Sequence, residues 1–583
     1  MKRRSPKFRH ILEVIIVVAV IIVLNIAANS KFTRLDLTED KLHTLSNNTI
    51  DLLENDIQQV INIEIYLDGD LPAIVQKLKN SIKEKIEELQ AYSGKKIKFR
   101  FVDPNEDKEL ANIFKRKLID EGLLPTRIST KTDGGSEQLD IWPCAKILHG
   151  ESQQNVQFLP TGQYIPSQNQ IDNAVNQLEY NFIKAFWLLL NPVKDRIAIL
   201  KGHDELNFQE SWVISHELNK FYQVDTTVRI IDSSGNENIR ALRDFEAVII
   251  AKPRKPFNER EKYIIDQYVM KGGKVIWLLD MLEVPEDSLS IVNIVNTYQY
   301  DLNLDDMLFK YGVRLNKNLI SDDQCAPNYR RDNNTVIPKW YHYPKIKGYN
   351  ENDLTKNVYP VKVRYGSSIE TIRNIEIKKT ALLQTSESYK VMGPRFRVSY
   401  DYNDHGYRPI DSLRTDTAKR KTLAILLEGE FTSLYKGRII DKFINSPEAN
   451  FKEKGVHSNM AIISDGDLIR NELVRDDRGV LHPIGLEFDQ VIRDPNGQFI
   501  AQYGNSIFFL NLVDKMLGHE NFIALRSRTK FDRLLDKQDA AINRRYWQTF
   551  NLTIPVTLVV ILGLVQWFIR RRKFSIKQPL SKH

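Results

Sequence analysis

The chain has 583 residues, a formal net charge of +8, and two cysteines. Eleven cations lie in the terminal segments Met1–His10 and Arg570–His583, which hold no Asp or Glu, so the residues between them net −3. The basic balance therefore reports membrane orientation and not a nucleic-acid surface, and two distant cysteines exclude a disulfide scaffold or a CxxC redox or zinc site.

In chain order, Lys2, Arg3, Arg4, Lys7 and Arg9 precede the apolar run Ile11–Ala28. As a helix this run is about 27 Å long, enough to cross a hydrocarbon core of roughly 30 Å. Lys and Arg collect on the cytoplasmic side, so residues 1–10 are expected there, with 11–28 as a first transmembrane helix and Glu13 near the cytoplasmic interface. A secretory signal peptide has the same pattern, although Ile26-Ala27-Ala28 makes a poor cleavage site. Both alternatives export the chain beyond this run.

Residues 31–165 are expected to form a thioredoxin-like periplasmic domain. Ser46 is placed to cap a helix over Asn47–Glu54. Val60–Leu67 alternates as a strand, Leu71–Tyr92 is an amphipathic helix ended by Gly94, and Ile97–Val102 is the next strand. Leu139–Leu148 and Gln153–Leu159 come next as a strand pair. The position after the first strand, where a thiol would sit, is Asp68-Gly69-Asp70-Leu71, so thiol chemistry is not expected. Cys144 and Cys325 are free to pair in an oxidising compartment, but nothing local forces it.

Residues 171–520 are expected to form an α/β periplasmic domain. Ile171–Leu190 is a helix ended by Asn191-Pro192. Strands Arg196–Leu200, Val224–Ile231, Ala247–Ala251 and Val275–Leu279 then alternate with helices Trp212–Phe221 and Arg260–Met270. Short apolar strands alternating with helices imply an open, mostly parallel sheet. Leu423–Leu427, Asn459–Ser464 and the helix Ser506–Leu517 complete it, and a β-rich insertion occupies about 320–410. Residues 525–545, with Arg526, Arg528, Lys530 and Arg533, form a charged helical stalk. Leu552–Ile569 is a second transmembrane helix, and residues 570–583 a cytoplasmic basic tail. The fold class is thus α/β: two transmembrane helices flank a thioredoxin-like domain and an amidotransferase- or flavodoxin-like sheet domain.

Two sheet-end loops carry candidate ligand chemistry. Gly202, His203, Asp204 and Glu205 lie just past the first strand of the parallel sheet, where open α/β sheets bind ligands, and could hold a metal or act as a base; the third partner is not identifiable by spacing. Asp465 and Asp467 lie just past the strand ending at Ile463 and could form a cation site, although Asp-Gly is ordinary solvated-turn chemistry. Gly272-Gly273-Lys274 lacks the Ser/Thr and upstream Gly of a phosphate loop and precedes a strand, so a helix cap is expected and ATP hydrolysis is not. No Ser or Cys nucleophile elbow succeeds a strand. No catalytic residue, cofactor or metal is assigned.

Seven segments carry a family resemblance: RLDLTEDKLHTLS (Arg34–Ser46), GHDELN (Gly202–Asn207), VMKGGKVIWLLD (Val269–Asp280), ALLQTSES (Ala381–Ser388), AILLEGEFTSLYKGR (Ala424–Arg438), AIISDGDLIRN (Ala461–Asn471) and YGNSIFFLNLVDKML (Tyr503–Leu517). In this order they resemble the GldG family of gliding-motility-associated ABC-transporter auxiliary (substrate-binding-like) proteins of Bacteroidota. The resemblance implies a two-pass protein of the bacterial inner membrane, both termini cytoplasmic and the bulk in the periplasm. It also implies a multi-span ABC permease (GldF-like) and a cytoplasmic ATPase (GldA-like) as partners. The parallel-sheet domain resembles a module shared with intraflagellar-transport proteins. A non-enzymatic auxiliary subunit is the expectation, with a periplasmic solute- or glycan-binding component as the alternative.

Overall fold

Ile61, Ile63 and Ile65 alternate with Asn62 and Glu64, and this period of two builds β1 (Ile61–Ile65) with its isoleucines buried. The computed structural model describes residues 44–526, except 108, 133–134, 160–161, 165–167, 232–237, 239, 331–334, 349–352, 374–375, 401–419, 438–449, 476–478 and 494–498, together with 544–574. The first apolar run, most of the stalk and the end of the basic tail lie outside the described residues.

Helix α1 (Ala73–Tyr92) buries Val75, Leu78, Ile82, Ile86 and Leu89, a three-and-four spacing that puts one apolar stripe on the sheet. Gly94, at φ 61°, lets the chain leave the helix and enter β2 (Ile97–Phe101). β1 runs parallel to β2 and antiparallel to β3 (Cys144–His149), which pairs with β4 (Ser152–Gln157), giving the order β2-β1-β3-β4. The expected strand 139–148 is in fact two. Pro143 has no N–H to donate, so Gly135–Ile141 pairs with Thr126–Thr132 while β3 joins the main sheet.

The expected helix 171–190 also divides. Gln168–Asn176 meets α1, with Lys77 and Asp172 2.8 Å apart, and a turn at Gln177 redirects α2 (Leu178–Leu190). α2 joins the two sheets. Its Glu179 carboxylate accepts from Ser46 N at 2.8 Å and Thr49 Oγ1 at 2.7 Å, its Phe182 ring meets Phe158, and its Trp187 meets Phe522 edge-on. One continuous core runs from Leu45 through both sheets to Leu525, and the described residues from 44 to 526 belong to one compact unit.

The large sheet has nine strands. Its parallel block contains β5 (Arg196–Ile199), β6 (Gln223–Asp225), β7 (Ala247–Ala251) and β8 (Lys274–Leu278), with α3 (Trp212–Asn219) and α4 (Glu259–Met270) as crossovers. β9 (Thr422–Thr432) and β10 (Lys454–Ile463) come after the insertion; β10 lies parallel to β8 and antiparallel to β9. The order across the block is β9-β10-β8-β7-β5-β6. Ile197, Ile199, Ile249, Ile276 and Leu278 face one core, and Ala198, Val248, Ile250, Val275 and Trp277 the other. Burial on both faces explains why these strands are near-continuous apolar runs. β6 is shorter than the expected 224–231: past Asp225 the chain turns, and the Val228 carbonyl accepts from Lys201 N at 2.9 Å.

Helix α5 (Asn505–Leu517) covers the first face, followed by Asn521–Arg526. Arg526, assigned to the stalk by its sequence, is instead buried: it pairs with Asp514 and lies 5.4 Å from the Phe221 ring centre. Cys144 and Cys325 are both free thiols.

In the second unit, α6 (Arg544–Phe574) contains the apolar run 552–569. It is long and apolar enough to cross a membrane: its most apolar 18 residues have a mean hydropathy of 2.2, and its apolar side chains are exposed. Pro555 interrupts the backbone donors within it, and Thr549, Thr553 and Thr557 each donate back to the carbonyl four residues earlier at 2.8 Å.

Candidate functional site

The parallel strands β5, β7, β8 and β10 all end on the same edge, so the residues just past them come together: His203, Lys252, Asp280, and the pair Asp465 and Asp467. The chain steps from β5 outward to β6 and then returns to β7 on the other side of β5, so β5 and β7 flank the switch point at which such sheets bind ligands.

At this switch point the Gly202–Glu205 turn folds on itself. Gly202 at φ 140° and Asp204 at φ 55° bend the backbone until the Glu205 carboxylate accepts from Gly202 N at 2.9 Å and His203 N at 2.8 Å. The His203 imidazole is 4% exposed and stacks on Phe257, with ring centres 3.7 Å apart. Its Nδ1 faces Glu205 Oε1 at 3.3 Å and its Nε2 faces Glu261 Oε1 at 3.1 Å. Burial pulls this imidazole down, but hydrogen bonds to Glu205 and Glu261 and their charge outweigh it and raise it to about 9. His203 is therefore a cation at neutral pH, with both N–H groups donating. Glu261 is the third partner that spacing did not reveal. It sits in the capping box of α4, where its other oxygen accepts from Asn258 N at 2.9 Å. Asp204 points outward to Lys255 at 2.9 Å, and His216 stacks on Trp212 at the surface.

The second loop is no solvated turn. Asp465 is 0% exposed and Asp467 6%, because the insertion covers them. Asp465 accepts from Arg364 N and from Asp467 N, each at 2.8 Å. Lys252 donates to Asp467 and lies 3.1 Å from Asp280, so its ammonium fills the position a metal cation would take. Arg470 adds a contact to Asp467 at 3.3 Å and reaches Glu210 at 3.2 Å. Burial raises all three carboxyls. For Asp467 it is outweighed by Lys252, Arg470 and Arg364, which leave it below the usual range. For Asp465 the neighbouring Asp280 and Asp467 add to it and push it well above. Asp280 also stays raised, against the pull of Lys252. The negative charge of the trio is thus concentrated on Asp467, against Lys252.

Beside Arg470 lies a polar cavity of about 80 Å³, lined by Arg364, Lys362, Tyr343, Glu286, Glu472 and Asp489 among others. Arg364 pairs with Glu472, Tyr343 donates to Glu286, and Lys362 lies 3.5 Å from Asp489, which also accepts from Tyr503 at 2.6 Å. Burial first, then Arg364, holds Lys362 below its ordinary value. Lys252 and Asp280 could have been found by noting the residue just past each apolar strand. Arg364 and Glu472 carry no such signal, since only the packing of the insertion against the loop past β10 brings them together.

Two family models match the chain: a domain of unknown function over residues 39–147, and the auxiliary family of an ABC-type uncharacterized transport system over residues 194–512. No curated protein matches it. Among solved structures it is similar to the mmIFT52 N-terminal domain, at 11% identity over 55% of this chain and 97% of that one, with a TM-score of 0.31. The second family match takes in the whole parallel block, the insertion and most of α5, more than half of the sequence, and the chain belongs to that ABC-type transport-system auxiliary family, with a transport-associated accessory role.

Proposed function

We propose that this protein is a non-enzymatic accessory subunit of a bacterial inner-membrane ABC-transporter complex that supports gliding motility. Its partners are a GldF-like permease and a GldA-like ATPase. The observation that carries the reading is the auxiliary-family match joined to an apolar helix, α6, beyond the matched region. The charged side chains at the sheet end bind one another, which suits a rigid element that passes on a conformational change. In this reading helices 11–28 and 552–569 both cross the membrane, with 1–10 and 570–583 in the cytoplasm. Residues 31–165 are a thioredoxin-like domain, supported by the order β2-β1-β3-β4 with one parallel pair and an antiparallel hairpin. Residues 171–520 are the α/β domain. The gliding role rests on the seven-segment resemblance. Expression with the neighbouring genes and extraction in mild detergent tests it: a permease and an ATPase are expected to co-purify, and a protein that elutes alone refutes it.

A solute- or glycan-binding role is the second reading, favoured by the polar cavity between Tyr343, Arg364 and Glu472, whose volume of about 80 Å³ takes one polar substituent of a solute and not a whole sugar ring. A melting-temperature screen of the full protein against sugars and divalent cations is expected to show a shift, which Arg470→Gln removes. No shift with any of them ends this reading.

A further inference from the structure

The polar cavity beside Arg470 owes its two buried cations to one extended segment. Val361 and Val363 belong to the main core, while Lys362 and Arg364, which alternate with them, line the cavity on the other side. The backbone of this segment is fixed. Asn505 accepts from Lys362 N and donates to its carbonyl, each at 2.8 Å, and Val363 N donates to the Pro344 carbonyl at 2.9 Å. Both cationic side chains are deeply buried, Lys362 at 10% exposure and Arg364 at 11%.

The cavity has donors to spare, while its acids are engaged. Glu286 accepts from Tyr343, Glu472 from Arg364 and Asp489 from Tyr503. Lys362 Nζ meets one oxygen, Asp489 Oδ2 at 3.5 Å, and otherwise the rings of Tyr503 and Tyr343, whose centres are 4.8 and 5.4 Å away. Two of its three N–H groups therefore have no acceptor among the described residues. Arg364 uses Nη2 on Glu472, and its Nε and Nη1 hydrogen-bond to none of the described residues. Buried charged donors left without acceptors are costly, and an anionic acceptor between the two side chains would satisfy them and offset the repulsion of Arg364 on Lys362. A water needs about 10–15 Å³ and a benzene-sized cavity is about 150 Å³, so the roughly 80 Å³ here admits one group of about three or four heavy atoms.

We propose that Lys362 and Arg364 hold a carboxylate group, so that the solute of this cavity is a small carboxylic acid whose other atoms lie at the half-buried rim of Ser290, Asn328 and Tyr329. The proposal rests on the solute-binding reading and names its ligand class. Two sources share this group, a sugar acid and an acyl amino acid. Calorimetric titration of the full-length protein in mild detergent with glucuronate and with N-acetylglycine separates them, with glucose as the neutral control. At least one acid is expected to bind about tenfold or more tightly than glucose and to be displaced by excess acetate; the tighter acid assigns the source. Lys362→Met leaves Asp489 its Tyr503 donor and is expected to weaken acid binding about tenfold or more. If that variant melts well below the wild type, acetate competition in the wild type carries the test alone. Glucose binding as tightly as the acids, an acid that acetate does not displace, or undiminished binding by a stable Lys362→Met overturns the proposal and leaves the solute-binding reading standing. Binding of none of the three probes ends both.

Discussion

Substituting His203 with Gln tests whether the turn after β5 is a charged latch. The imidazole is raised from 6.5 to about 9 by the two glutamates, despite its burial. That difference, at about 1.36 kcal/mol for each tenfold in proton affinity, makes the charged form contribute roughly 3 kcal/mol to folding. Because the folded value lies above the unfolded one, this stability is fully present below about pH 6.5 and is lost as pH rises through about 9. Gln keeps one amide donor but carries no charge and cannot reach both carboxylates at once. Melting monitored by tryptophan fluorescence across this window should show the wild type losing stability between the two values. The variant should melt lower than wild type in mild acid, and the gap should close at alkaline pH. A variant that melts with the wild type in mild acid, or a gap independent of pH, refutes the latch.

The same geometry sets three further outcomes. Lys252→Met leaves Asp280 and Asp467 buried without their shared cation and should cost about 3–5 kcal/mol; Asp467→Asn in that background should restore part of the loss in the same melting assay. Arg526→Ala removes the cationic partner of Asp514, whose side chain is fully buried, and should destabilise by a similar roughly 3–5 kcal/mol, with faster limited proteolysis by a protease that cuts beside apolar residues; cleavage at the wild-type rate would count against a buried anchor. Both thiols should react with a maleimide after denaturation without reductant, and a mass showing no adduct would mean that Cys144 and Cys325 pair.

Much of the α/β framework was legible because strands buried on both faces must be apolar throughout. Ala247–Ala251 and Lys274–Leu278 stand out for that reason, and α1 shows through its three-and-four spacing. The apolar run inside α6 is legible for an equally simple reason, since length and hydropathy are local properties. What those patterns do not contain is pairing. Leu423–Leu427 is visible as a strand, but not that it extends to Thr432 and lies antiparallel beside β10. The division of residues 139–148 at Pro143 could have been read from the missing N–H, whereas the break at Gln177 has no glycine or proline to mark it.

The candidate loops divide the same way. By itself the sequence determined that His203, Glu205, Asp465 and Asp467 lie just past apolar strands, because a strand's end is written in its own composition. Only the tertiary structure decided what those groups meet: Glu261 on the helix after β7, Lys252 just past β7, and Arg364 and Arg470 from the covering insertion and the loop past β10. Burial is what turns an ordinary Asp-Gly turn into a charge pair that requires its partner. Burial depends on which distant segment lies across the sheet end, a contact that no local pattern encodes.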